Sequence, residues 1–166
     1  SIQQGYAVEE PISIEKQGGF KPMTFLLADH GYSTYSTTIE ARTEMVKTDP
    51  ELVRSFVNAS VLGWVSYLYG DRRRADALIK RDNPEMTDEL LDKSVALMKG
   101  LGIVDSGDAT TLGIGAMKPE RVKDFYDKMV KAGLYKPGEV DLSKVATMQF
   151  VNKGVGLDLK KQLGGK

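Results

Sequence analysis

Apolar residues recur at two different periods along this chain. From Asp49 to Gly70, residues Leu52, Val53, Phe56, Val57, Trp64 and Leu68 return at helical spacing, so this stretch predicts the longest helix. Its start is written in the side chains: Asp49 can accept backbone N–H bonds, Pro50 suits the first helical position, and Glu51 meets the positive end of the dipole. Gly70 is placed to take the left-handed closing conformation. Ala75, Leu78 and Ile79 mark a shorter helix, and Thr87 caps another that carries Leu90, Leu91, Val95, Met98 and Leu101. Pro119 opens a fourth, with Val122, Phe125, Tyr126, Met129 and Val130 inside, Gly133 closing it and Leu134 in contact behind the cap. Asp141 caps a last short helix.

The N-terminal part has a different rhythm. Ile2 to Val8 alternate as a strand would, Pro11 then opens a helix over Ile12 to Gln17, and Gly18-Gly19 stops it. The continuous run Met23 to Ala28 reads as a strand covered on both faces. After the turn-rich segment Asp29 to Ser36, the β-branched run Thr37-Thr38-Ile39 continues as a third strand towards Thr43. Strand, helix, strand predicts an α/β fold, helix-rich with a few parallel strands. Those strands are too few for a self-sufficient sheet, so the chain reads as a piece of a larger fold. The glycine-rich tail after Asn152 is expected to fray.

Composition narrows the chemistry more than it names it. Acidic and basic side chains balance at 23 each, which leaves no excess positive charge for phosphates or anionic membranes and argues against nucleic acid as a partner. Cysteine is absent and His30 is the only histidine. Disulfides, thiolate zinc sites, cysteine nucleophiles and histidine-rich triads therefore lack their parts. No catalytic residue, metal site or cofactor is expected. The N-terminus has neither the basic start nor the apolar stretch of an export signal.

The sharpest constellation is Gly5-Tyr6-x-x-x-Glu10-Pro11. Tyr6 and Glu10 fall where a strand hands over to its helix, the place where open α/β sheets hold ligands. An aromatic face can stack on a planar heterocycle, and a carboxylate accepts hydrogen bonds from an exocyclic amine. The plainer alternative is that Glu10 caps the helix and Tyr6 belongs to the core. A second cluster, His30, Tyr32, Tyr35, Ser36 and Thr37, offers ring faces and hydroxyls in one turn; the same residues are also ordinary turn material.

The segments GYAVEEPISIEKQGG, FLLADHGYSTYSTT and DPELVRSFVNASVLGWVSYLYGD resemble, in order, the second half of the bacterial pyrimidine-precursor-binding family, as do NPEMTDELLDKSVALMKGLGIVDSGDA and LGIGAMKPERVKDFYDKMVKAGL. That family is similar to yeast thiamine-pyrimidine synthase. The resemblance implies a two-lobed periplasmic-binding-protein type 2 fold of about twice this length. Residues 1–22 then match the end of lobe two, 23–43 the return through the hinge, 44–152 the C-terminal part of lobe one and 153–166 a tail. It also implies an extracytoplasmic solute-binding component of an ABC importer, periplasmic and in some forms lipid-anchored. Such a protein captures a small heteroaromatic such as an aminopyrimidine thiamine precursor. In the relatives the matching Tyr-Glu pair lines the cleft, so Tyr6 and Glu10, with Tyr32, Tyr35 and Ser36 from the turn, are the expected ligand contacts. The implied partners are the small-molecule ligand, an ABC permease, and an N-terminal half of the same protein or a second copy of this chain.

Three other features carry blander readings. Trp64 is in register with the long helix and is expected in its core rather than in an aromatic site. Arg72-Arg73-Arg74, beside Asp71 and Asp76, reads as a solvated helix face, with a permease contact as the alternative. Gly113-Ile114-Gly115 lacks the third glycine and the Lys-Ser/Thr of a phosphate loop. Two competing functions remain beside transport: a thiamine-pyrimidine-synthase-like enzyme, whose branch of the family is associated with a cysteine-rich motif, and a sensory domain using the same cleft.

Overall fold

The structure, a computed structural model, describes residues 2–165. Ser1 and Lys166, the outermost residues of the first and last expected segments, lie outside the described residues. Among the described residues eight α-helices are formed: α1 Glu10–Gly18, α2 Thr43–Thr48, α3 Pro50–Tyr69, α4 Arg73–Asp82, α5 Asp88–Gly100, α6 Ala109–Leu112, α7 Pro119–Lys131 and α8 Leu157–Gln162. Leu27–His30 and Leu142–Lys144 add single 3-10 turns.

The helix ends follow their local chemistry. Asp49 accepts the Leu52 N–H at 3.1 Å with Pro50 behind it, and Thr87 accepts the Leu90 N–H at 3.2 Å. Gly133 closes helix α7 as its sequence predicts, but Leu134, expected in hydrophobic contact behind the cap, is 67% exposed. Gly133 is left-handed at φ 77°, its N–H donates to Val130 O, and the Leu134 N–H reaches back to Met129 O. Gly70 differs, with φ −102° and ψ −160°: it continues extended instead of closing α3 in the left-handed region.

The α/β expectation is overturned. Among the described residues no strand is formed, and Ile2 to Val8, Met23 to Ala28 and Thr37 to Thr43 make no strand pairing. An apolar run becomes a strand only when a neighbour takes its backbone N–H and C=O groups. No neighbouring segment does so here. Met23 and Phe25 are consequently 81% and 69% exposed, and the end of the second run curls into the 3-10 turn at Leu27–His30.

Helix α3 supplies the core. Val53, Val57, Val61, Val65 and Leu68 are buried along it, and Phe150 packs on the first three, flanked by Val46 of α2 and by Ile114, Val151 and Val155. Steps of four residues overshoot one helical turn by ~40°, so this seam winds around α3. Leu52, Phe56 and Trp64 stand on its flank and are exposed, contrary to the expectation that Trp64 is core. Glycines let the backbone close on the valines: a Cβ on Gly156 would stand 3.0 Å from Val65 Cγ2, and one on Gly113 only 2.9 Å from the Val155 carbonyl oxygen. Gly113-Ile114-Gly115 is thus a packing element.

The tail after Asn152 is not frayed. Gly154 donates to Leu112 O at 2.9 Å, α8 packs on α3, and the Lys160 ammonium is buried 2.9 Å from Asp105 Oδ2. Tyr69 of α3 donates its hydroxyl to the same oxygen at 2.7 Å. Asp105, only 4% exposed, leaves Oδ1 buried with no protein donor. Arg73 and Arg74 of the arginine triplet are exposed, as a solvated face requires, whereas Arg72 bridges Asp76 of α4 to Asp92 of α5 and is largely covered.

Removing one member of a buried ion pair strands the other. Lys160→Ala is expected to destabilise the chain by about 3–5 kcal/mol in denaturant unfolding, whereas Lys161→Ala, an exposed neighbour, should stay within about 0.5 kcal/mol. Equal small effects from both would mean that α8 is not held by the pair.

The same cluster sets a pH dependence. Burial, and then the hydrogen bond to the Asp105 carboxylate, push the Tyr69 hydroxyl up to about 12 from its ordinary 10. The unfolded chain loses this proton first, so Tyr69 contributes stability that is fully present below pH 10 and lost as pH rises through about 12. Ultraviolet titration should show a tyrosine ionising near 12 in wild type that is missing from Tyr69→Phe, while Tyr67, also pushed up by burial and its bond to Asp76, titrates alike in both. A wild-type titration with every tyrosine near the ordinary value would contradict the arrangement.

Candidate functional site

The Gly5–Pro11 segment folds into a self-bonded turn. Tyr6 C=O accepts from the N–H groups of Glu9 and Glu10 at 3.0 and 3.3 Å. The Tyr6 N–H in turn donates to Glu10 Oε2. Glu10 is the first residue of α1, with Pro11 behind it in the first turn. Its side chain folds back across Gly5, where an added Cβ would sit 2.6 Å from Glu10 Cγ and Cδ. A side chain there would displace the Glu10 carboxyl group, which occupies that space.

This turn leaves Tyr6 outside the core, with 62% of its surface exposed. Glu10 does not cap α1, contrary to the plainer alternative: its carboxylate accepts the N–H of Tyr6 in the preceding turn, and among the described residues it accepts no further side-chain or backbone bond. An open aromatic ring and a carboxylate fixed in place are therefore set four residues apart. The first can stack on a planar heterocycle; the second can accept from an amine with its free lone pairs. The turn is anchored from behind, since the buried Ser94 of α5 donates to Val8 O at 2.7 Å and Lys16 pairs with Glu89 at 3.7 Å.

The second cluster is held by another helix. Gly31, left-handed at φ 84°, turns the chain after His30, whose ring lies 6.4 Å from that of Phe25. Tyr32 meets Phe125 of α7 edge-on at 6.1 Å. Tyr35 lies under the Arg121 guanidinium, 4.3 Å from its ring centroid, and its hydroxyl accepts the Lys118 N–H at 2.8 Å. Ser36 and Thr37 are exposed. Among the described residues, no hydrogen bond or ring contact joins Tyr6 and Glu10 to Tyr32, Tyr35 or Ser36: one pair rests on α5, the other group on α7.

Two concavities lie elsewhere. A cleft of about 410 Å³ runs between α7 and the following loop, past Tyr126, Val130, Pro137 and Leu142. A second, between Val57, Val61, Leu112, Ile114 and Phe150, has room of about 10 Å³, no more than one water needs. Neither is lined by the five expected contact residues. No group of three His, Asp or Glu side chains suited to a metal ion occurs among the described residues. No helix there is long and apolar enough to cross a membrane.

Residues 3–70 match the family model described as NMT1/THI5 like. The match supports the resemblance to the thiamine-pyrimidine family over that stretch. It contains both expected contact clusters and all of α3. The α5 and α7 helices that hold the clusters lie beyond it. No curated protein and no solved structure matches the chain at a significant level.

Arg121 and Lys118 are the residues that sequence reasoning passed over. Their partners Ser33, Thr34 and Tyr35 lie more than eighty residues away, so no local signal in the sequence marks them.

Gly5→Ala tests the turn directly. The new methyl must push the Glu10 carboxylate off the Tyr6 N–H, at a cost of about 0.5–2 kcal/mol typical of a lost cap. Amide exchange at Tyr6 should accelerate while exchange in α3 stays nearly unchanged. Unaltered protection at Tyr6 would show that the carboxylate does not hold it.

Proposed function

We propose that this chain is part of an extracytoplasmic solute-binding protein that captures a small heteroaromatic, such as an aminopyrimidine thiamine precursor, for an ABC permease. The observation that carries the reading is the Gly5–Pro11 turn, inside the family-matched stretch, where an exposed tyrosine holds a carboxylate in place through its backbone N–H. Capture needs little more: a stacking face, a hydrogen-bond acceptor for the exocyclic amine, and a second wall that closes over the ring. The chain supplies binding and orientation and no catalytic residue.

In this reading residues 1–22 belong to lobe two, 23–43 to the hinge, and 44–152 with 153–166 to lobe one. The second wall comes from an N-terminal half of the same protein or from a second copy of the chain. The unpaired apolar segments around Met23 and Phe25 favour such a neighbour, because exposed backbone of this kind pairs readily. Periplasmic or lipid-anchored extracytoplasmic placement follows from the transport role.

Calorimetric titration of the full-length protein with an aminopyrimidine thiamine precursor is the test. Glu10→Gln is the informative variant. Its carbonyl can still accept the Tyr6 N–H, while its NH₂ group faces the ligand's own donor. A charged hydrogen bond contributes roughly 1.5–3 kcal/mol, so affinity should fall by about one to two decades, with Lys153→Gln unchanged as a surface control. Equal binding by wild type and Glu10→Gln would leave Glu10 as a brace of the Gly5–Pro11 turn only. Recovery of a chemically altered ligand would move the assignment to a synthase-like enzyme.

A further inference from the structure

Arg121 makes the most concentrated set of contacts to a candidate binding segment, and it lies outside the family-matched stretch. From the first turn of α7 its Nε donates to Ser33 O at 2.9 Å and its Nη2 to Thr34 O at 3.0 Å. Its guanidinium plane also lies 4.3 Å from the centre of the Tyr35 ring. A planar fork with several donors can hold two carbonyls and a ring at once; a lysine ammonium cannot. The same ring is fixed at its far end, where the hydroxyl accepts the Lys118 N–H at 2.8 Å.

These contacts decide what Tyr35 has left to give. A phenol has one hydrogen to donate and two lone pairs to accept with. One lone pair is taken by Lys118, Arg121 covers one ring face, and among the described residues the hydroxyl hydrogen has no acceptor. We infer that Arg121 is a positioning residue that presents Tyr35 as a hydrogen-bond donor to the ligand, so that this turn selects rings carrying an acceptor atom, such as a pyrimidine nitrogen. The inference rests on the ligand-capture reading above and deepens it: Glu10 recognises the amine, Tyr35 the ring nitrogen.

The experiment titrates the full-length protein with two probes, an aminopyrimidine thiamine precursor and the analogue in which one ring nitrogen is replaced by C–H. Each ring nitrogen is replaced in turn. Wild type should prefer the pyrimidine over one of these analogues by roughly threefold to tenfold, the range of one neutral hydrogen bond. Tyr35→Phe and Arg121→Ala should both lose that preference, and Arg121→Lys should regain little of it. A merely structural Arg121 would weaken binding of both probes alike and keep the preference; that result overturns the inference while the capture reading stands. Loss of preference in Tyr35→Phe with full preference in Arg121→Ala would also overturn it. Failure of wild type to bind either probe removes the capture reading and this inference with it. Amide exchange read without ligand checks the grip independently: Arg121→Ala should speed exchange at Lys118 N–H, and unchanged exchange there contradicts the positioning role.

Discussion

The structure depends on one winding seam of β-branched side chains. Val53, Val57, Val61 and Val65 are buried at successive four-residue steps of α3, and burying each contributes roughly 1.5–3 kcal/mol. Because the seam turns around the helix, it takes several neighbours in succession: α2 and Phe150 at its beginning, the Ile114 and Val155 loops in the middle, and the Gly156 turn at its end. That last contact needs a glycine, and it delivers α8 to the place where Lys160 meets Asp105 and Tyr69. The polar cluster is therefore a consequence of how the valines are arranged.

Helices whose ends are written in adjacent residues were legible in the sequence. Asp49-Pro50, Thr87 and the Gly133 ending are local signals, satisfied by backbone and side-chain groups within a few residues, and all three close their helix ends as read. The strands were not legible, since Ile2–Val8 and Met23–Ala28 have strand-like patterns but a strand is made by its partner. The tail misled for a related reason: its glycines look like disorder in composition, yet Gly154 and Gly156 allow close approach to Leu157 and to the α3 valines. Trp64 followed a straight helical template, and the real seam drifts away from it.

The candidate contacts show the same division. Gly5, Tyr6 and Glu10 lie within six residues and make a unit whose geometry follows from a motif visible in the sequence. What positions the Tyr32–Ser36 turn is more than eighty residues away, in the Arg121 bonds to Ser33 and Thr34. Both units are presented by helices outside the matched stretch, one through Ser94 and the other through α7. The matched segment thus carries the candidate contact residues, and helices beyond it hold them in place.

A crystal structure of the full-length protein with an aminopyrimidine thiamine precursor would test this account most directly. The account predicts the ring stacked on Tyr6 with its exocyclic amine on the Glu10 carboxylate, and with α5 still bonded to Val8. A ligand seated instead in the cleft between Val130 and Leu142, away from Tyr6 and Glu10, would contradict it.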